Sequence, residues 1–142
     1  PLTRRHINLE LTESALMENP EASLRVFEQL HDMGIKLYVD DFGTGYSSFS
    51  YLTQLPISAL KIDRSFVTRM KASTKECEVV RSIVQLAKNL DLSSVAEGVE
   101  CEEDLSPLVE MGCDRAQGYL FSRPVGGEDT PAVIAKLNEA AG

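Results

Sequence analysis

The stretch Ile35-Lys36-Leu37-Tyr38-Val39-Asp40-Asp41-Phe42-Gly43-Thr44-Gly45 decides the fold. Residues 35–39 form an apolar run of strand length, entered from Gly34, a helix stop, and left through two adjacent acids and a glycine loop. A strand that follows a helix and ends in charged groups is the repeating unit of parallel α/β proteins.

The same unit recurs on both sides. Upstream, Ile7, Leu9 and Leu11 alternate with Asn8 and Glu10 at a strand's period of two. Asn19-Pro20 reads as an N-cap with proline at the first helical position, opening a helix that carries Leu24, Phe27, Leu30 and Met33. Downstream, a short helix is expected around residues 48–55, before Pro56, and a third strand at residues 59–62 runs into Asp63. A long helix starting at Ser73 or Thr74 aligns Val80, Ile83, Val84, Ala87 and Leu90 on one face. A fourth strand, 94–96, leads to Glu97-Gly98-Val99-Glu100, and a helix of about ten residues then ends at Met111, with Gly112 at C′. The fifth strand is expected at residues 113–118 or slightly beyond, closed by Pro124. The last helix has Pro131 near its start and Val133, Ile134 and Leu137 inward. Five strands alternating with helices imply a parallel sheet. An open doubly wound sheet and a (β/α)8 barrel both satisfy the pattern. A barrel runs to roughly 250 residues, so these 142 residues would supply only part of one.

Composition narrows the function classes. Hydrophobic residues make up 43% and charged residues 25%, ordinary for a globular domain. The net charge of −8 disfavours a nucleic-acid polymer or an anionic membrane as partner, since both need clustered positive charge. No apolar run reaches the roughly 20 residues that span a bilayer, and no signal-peptide pattern opens the chain. Cys77, Cys101 and Cys113 are widely spaced and odd in number, which points to reduced thiols rather than a disulfide framework or zinc site. The chain opens on Pro1 rather than Met and enters a strand almost at once, as expected of a piece of a longer protein.

Glu10, Asp40 with Asp41, Lys61 with Asp63, Glu97 and Gln117 each fall at or just past the end of a different strand. That edge is where parallel α/β folds build active sites. Six acidic or amide groups and one lysine converging there form a hard-oxygen pocket suited to Mg²⁺ or Mn²⁺. Asp40 and Asp41 are expected to point in different directions, so that one could bridge two cations while the other binds one, as two-metal phosphoester hydrolysis requires. Each residue alone has a plainer reading: a lone Glu after a strand is ordinarily solvated, Asp40-Asp41 can cap a turn, and Lys61 can pair with an acid for structural reasons. Five consecutive strands ending in polar groups is the observation that outweighs these. The loop Gly43-Thr44-Gly45 has Ser48 where a dinucleotide fingerprint needs its third glycine. His6 and His31 lie outside the constellation and read as surface residues.

Five segments carry a resemblance. They are Glu10-Leu11-Thr12-Glu13-Ser14, Asp40 through Ser48, Lys61-Ile62-Asp63-Arg64-Ser65-Phe66, Ala96-Glu97-Gly98-Val99-Glu100 and Gln117-Gly118-Tyr119-Leu120-Phe121. In this order, and across essentially the whole chain, they resemble the motifs of EAL domains, the bacterial cyclic di-GMP phosphodiesterases. The resemblance implies a modified TIM barrel with one antiparallel strand, of which residues 1–142 would be the C-terminal part, about the last five βα units. It implies that Glu10 and Asp40 bind a first metal, that Asp40 bridges to a second held also by Asp41, and that Glu97 is a second-metal ligand or the general base. Lys61 would orient the attacking water and help deprotonate it, and Gln117 would hydrogen-bond a water at the metal site. Asp63 and Glu100 would give supporting contacts. Glu13 would anchor the loop after Asp41, which in this family couples dimerisation to metal binding. Phe121 and Pro124 would border the guanine pocket, and the product would be linear pGpG.

The departures from the pattern are also informative. The Glu-Ala-Leu motif with its following Arg is absent, as is a metal-binding Asn from the next strand; Asn8 cannot stand in, being on the Glu10 strand itself. The surviving ligands favour an enzyme over a non-catalytic cyclic di-GMP receptor. An inactive structural or dimerising fragment is the expectation for the isolated chain. Unpaired barrel edges would invite association, as a homodimer or with a partner chain. Upstream sensor or cyclase domains are expected in the parent, with the catalytic part in the cytoplasm even where the parent is membrane-anchored.

Overall fold

The computed structural model describes residues 7–45 and 52–140. Five strands, β1 (Asn8–Thr12), β2 (Lys36–Phe42), β3 (Ala59–Ile62), β4 (Ser93–Ala96) and β5 (Arg115–Ala116), form one sheet. Six helices accompany them among the described residues: α1 (Glu13–Glu18), α2 (Pro20–Asp32), α3 (Arg64–Arg69), α4 (Thr74–Asn89), α5 (Glu102–Met111) and α6 (Thr130–Ala140). Each strand pairs in parallel with the next, in the order β1-β2-β3-β4-β5. A doubly wound sheet reverses at a switch point, whereas a barrel adds strands in one sense. The order is therefore that of an arc of a TIM-type (β/α)8 barrel.

Alternation along the strands separates two faces. Leu37, Val39, Leu60, Ile62 and Ala96 face the helices and pack with Val80, Ile83, Val84 and Ala87 of α4 and Leu108 and Met111 of α5. Burying each such aliphatic side chain contributes roughly 1.5–3 kcal/mol. Among the described residues the other face carries a small cluster, Tyr38, Ala59 and Val95. Lys61 is two residues beyond Ala59 and therefore shares that face, which is where the polar groups collect. The helix starts are capped as their sequences suggest: Asn19 accepts the Ala22 N–H, Asp63 the Ser65 N–H and Ser73 the Glu76 N–H. All three cysteines are free thiols. Among the described residues no helix is long and apolar enough to cross a membrane.

The structure differs from the sequence reading at several points. β1 runs one residue past Leu11, to Thr12, and β2 runs on to Phe42, so Asp40 and Asp41 lie inside that strand. The fifth strand shrinks from residues 113–118 to two residues, because the chain beyond it leaves the ladder to pack on the segment after β4. Two short helices, α1 and α3, have too little apolar periodicity to be seen and are set by their caps, Thr12 and Asp63. Ile134, expected inward, is 53% exposed, since no described element covers that side of α6. Met33 ends α2 as an exposed cap residue. Most of the helix expected at residues 48–55 lies outside the described residues.

Candidate active site

Lys61 organises the site. Every residue of β3 is buried, so the Lys61 stem is clamped in the sheet and only the direction of its ammonium is free. Its Nζ stands 2.6 Å from Glu10 Oε2 on β1, 3.1 Å from Asp40 Oδ1 on β2 and 2.6 Å from Glu97 Oε1 just past β4. An ammonium buried alone would cost several kcal/mol, and three carboxylates offset that cost. Burial alone would lower the lysine's proton affinity. The bonds to Glu10, Glu97 and Asp40 outweigh it and hold the group firmly charged. Glu97 shifts the other way: burial raises its carboxyl above the ordinary range, helped by Asp40 and Glu10 and opposed by Lys61.

The paired acids on β2 correct the sequence reading. In a regular strand, adjacent side chains point to opposite faces. Here Val39 pairs with Leu60 and Phe42 with Ile62, so three steps on β2 match two on β3, a bulge that inserts one residue at Asp40-Asp41. Asp41 takes a left-handed backbone with φ 54°, and its N–H donates to Asp40 Oδ1 at 3.1 Å. Both carboxylates consequently converge instead of diverging: oxygens of Asp40, Asp41 and Glu97 lie within 4.8 Å of one another. The Asp41 carboxyl is raised by burial and by its neighbours Asp40 and Asp63. Three hard oxygen donors, with Glu10 joined to them through Lys61, leave an excess of negative charge beside a single ammonium. That donor set fits divalent cations such as Mg²⁺ or Mn²⁺.

The remaining residues take varied places. Gln117 Nε2 donates to Glu97 Oε1 at 2.7 Å, fixing that carboxylate from the β5 side. Buried Glu13 accepts the Gly43 N–H at 3.1 Å, tying α1 to the turn after the bulge. Asp63 caps α3. Glu100 is bound to Arg64 and touches none of the cluster. A cavity of about 430 Å³ adjoins Glu97 and Gln117; Pro124 lines it and Phe121 does not. Three of its walls, Arg64, Tyr119 and Arg123, were not singled out from the sequence, because Arg64 opens a short helix and the other two lie outside the helices and strands, where no periodicity marks them. Arg123-Pro124, a basic residue held just past the last strand of an acidic chain, was the available sign.

The family profile described as EAL domain matches residues 1–124. The cyclic di-GMP phosphodiesterase NbdA of Pseudomonas aeruginosa is 48% identical over 119 residues, covering 84% of this chain and 15% of that protein. MucR of the same organism, a bifunctional diguanylate cyclase/cyclic di-GMP phosphodiesterase, is 45% identical over 130 residues, 92% of this chain and 19% of that protein. The solved MucR phosphodiesterase in complex with c-di-GMP superposes with a TM-score of 0.87 at 45% identity, over 91% of this chain and 52% of that one. Klebsiella pneumoniae BlrP1, solved with manganese and c-di-GMP, gives a TM-score of 0.80 at 35% identity, over 87% of this chain and 31% of that one. The chain thus spans less than a fifth of these two curated relatives and about half of the MucR phosphodiesterase structure. Sequence match, strand order and the superposition agree, and the chain belongs to the EAL domain family.

Proposed function

We propose that these residues are the C-terminal part of a metal-dependent phosphodiesterase that hydrolyses cyclic di-GMP to linear pGpG. The observation that carries the reading is the meeting of Glu10, Asp40 and Glu97, from three separate strands, on the one ammonium of Lys61, with Asp41 folded into the same group by a bulge. The names of NbdA and of the MucR and BlrP1 complexes supply the substrate.

When bound, Mg²⁺ or Mn²⁺ held by Glu10, Asp40, Asp41 and Glu97 would polarise the phosphate and acidify the attacking water. The chain's own groups then do the rest. Lys61 orients that water and helps deprotonate it, and Glu97 serves as a second-metal ligand or as the general base. Gln117 keeps Glu97 in position, and Glu13 keeps the turn after Asp41 in place. Asp63 fixes the start of α3 and Glu100 holds Arg64 at the cavity rim, while Pro124 and Phe121 belong to the base-binding side. Association into a homodimer, upstream sensor or cyclase domains, and a cytoplasmic position for the site complete the reading.

The test is Mn²⁺-dependent hydrolysis of cyclic di-GMP by this chain, with the solution mass recorded on the same sample. In the full-length parent, turnover is expected to disappear in Asp40→Ala and in Glu97→Ala. Hydrolysis near the wild-type rate in either variant would refute the site assignment. Binding without turnover by the full-length parent would favour the receptor reading.

A further inference from the structure

We propose that Arg123 selects guanine over adenine in the cavity beside the acid cluster; this rests on the cyclic dinucleotide reading above. Three cationic side chains stand at the site. Lys61 is held by three carboxylates and Arg64 by Glu100. Among the described residues Arg123 has no carboxylate within ion-pair distance, in a chain with 22 acidic residues and a net charge of −8. Its guanidinium instead lies over the Tyr119 ring, 4.6 Å from the centroid. A guanidinium held against an aromatic ring keeps a rigid planar fork of N–H groups, which can serve as a pair of parallel donors.

The backbone reinforces this presentation. Arg123 precedes Pro124, which confines it to extended conformations. The Ser122 hydroxyl donates to the Arg123 carbonyl at 2.8 Å, holding the turn. The cavity offers the partly exposed Tyr119 ring and the Pro124 ring, surfaces suited to a flat base. Glu97 and Gln117 at one end join it to the acid cluster, where a phosphate would sit.

Two parallel donors require two adjacent acceptors. Guanine provides them at O6 and N7, while adenine sets an amino donor beside its N7. A phosphate also offers two acceptors, and it would be present in either nucleotide. Specificity therefore separates the two contacts.

The experiment is titration of cyclic di-GMP and of cyclic di-AMP into the chain, with Ca²⁺ as the divalent ion, followed by the same titrations with Arg123→Ala and Arg123→Met. The methionine variant keeps an unbranched stem over Tyr119 and removes the donors. Circular dichroism verifies the fold of both, and Arg123 is exposed, so neither change disturbs the core. Both variants are expected to bind cyclic di-GMP roughly 5- to 150-fold more weakly. Their affinity for cyclic di-AMP should stay at the wild-type level. Equal weakening of both ligands would overturn the proposal in favour of a phosphate contact, and no weakening would overturn it outright. A wild-type chain that binds cyclic di-GMP without preferring it to cyclic di-AMP also overturns it. A wild-type chain that binds neither sinks the cyclic dinucleotide reading itself, and this inference with it.

Discussion

Lys61 keeps a full positive charge with its side chain 4% exposed because three carboxylates reach it from three directions. Lys61→Met would retain the stem and leave Glu10, Asp40 and Glu97 facing one another without a counter-charge. The expected loss is about 1–3 kcal/mol of stability at neutral pH, discounted for the partial exposure of the acids. A divalent cation should then compensate, since the group that competes with it is gone. Thermal melts with and without MnCl₂ should show a larger upward shift for the variant than for the wild type. An equal shift, or none, would contradict the view that the lysine and a cation share these acids. Glu10, Asp40, Lys61 and Glu97 were legible in the sequence because five successive strands each end in polar groups, a recurrence that their separate structural duties do not explain. The convergence of Asp40 with Asp41 was not, since a bulge depends on the register against β3 and leaves no pattern within β2. Arg64 and Arg123 escaped for a related reason: their positions follow from Gly98, over which the Arg64 stem lies, and from the Tyr119 ring.

β5, only two residues long, is held to β4 by contacts outside its ladder. Asp114 Oδ2 accepts from Ser94 N at 2.8 Å and from Ser94 Oγ at 2.9 Å, and Asp114 N donates back to Ser94 Oγ at 3.1 Å. Asp114→Asn should cost about 1 kcal/mol, read from the urea midpoint at pH 7. The bond from the Ser94 N–H, assisted by the Ser94 hydroxyl and opposed by burial, holds the Asp114 carboxyl below its ordinary value of 3.8. For Asp104 at the start of α5, burial acts upward, but Lys71, the Glu100 N–H and Cys101 outweigh it and the carboxyl is again lowered. A lowered carboxyl stabilises the fold above its unfolded-state value and loses that contribution as pH falls through the folded-state value. Urea midpoints should therefore hold down to about pH 4 and then fall with acidification, less steeply in Asp114→Asn; parallel curves would exclude this origin. Beyond β5, Val99 N donates to Gln117 O at 3.1 Å and Leu120 N to Val99 O at 3.0 Å, an approach that leaves no room for a Cβ on Gly118, where a methyl would strike the Val99 backbone. Gly118→Ala should thus lose roughly 2 kcal/mol or more, and displace Gln117 from Glu97. At this scale the long amphipathic helices were readable from their apolar spacing, and the fifth strand was readable too, but not its shortness, because the ladder is cut off by packing against the loop after β4 rather than by its own residues.

Strand order is a property of the whole molecule, and alternation of strands and helices could not choose between a barrel and a doubly wound sheet; the unreversed order β1 to β5 does. The same order leaves β1 paired on one side only among the described residues, with Ile7 47% and Leu9 38% exposed beside it. Leu9 lies opposite Leu37 in the register, on the face that packs against helices, so a strand added at this edge would continue an apolar surface already begun. An open edge with apolar side chains favours association. The net charge of −8 opposes it through repulsion that salt screens. Association through β1 should therefore strengthen as salt rises, opposite to a contact made by ion pairs. Sedimentation velocity of the chain over a range of concentration and NaCl should show a mass above the monomer that grows with both. Leu9→Lys, which places a charge on the edge at a partly exposed position, should return the chain to a monomer with little change in its thermal midpoint. A monomer under all conditions, or association that weakens with salt, would show that this edge is closed in some other way.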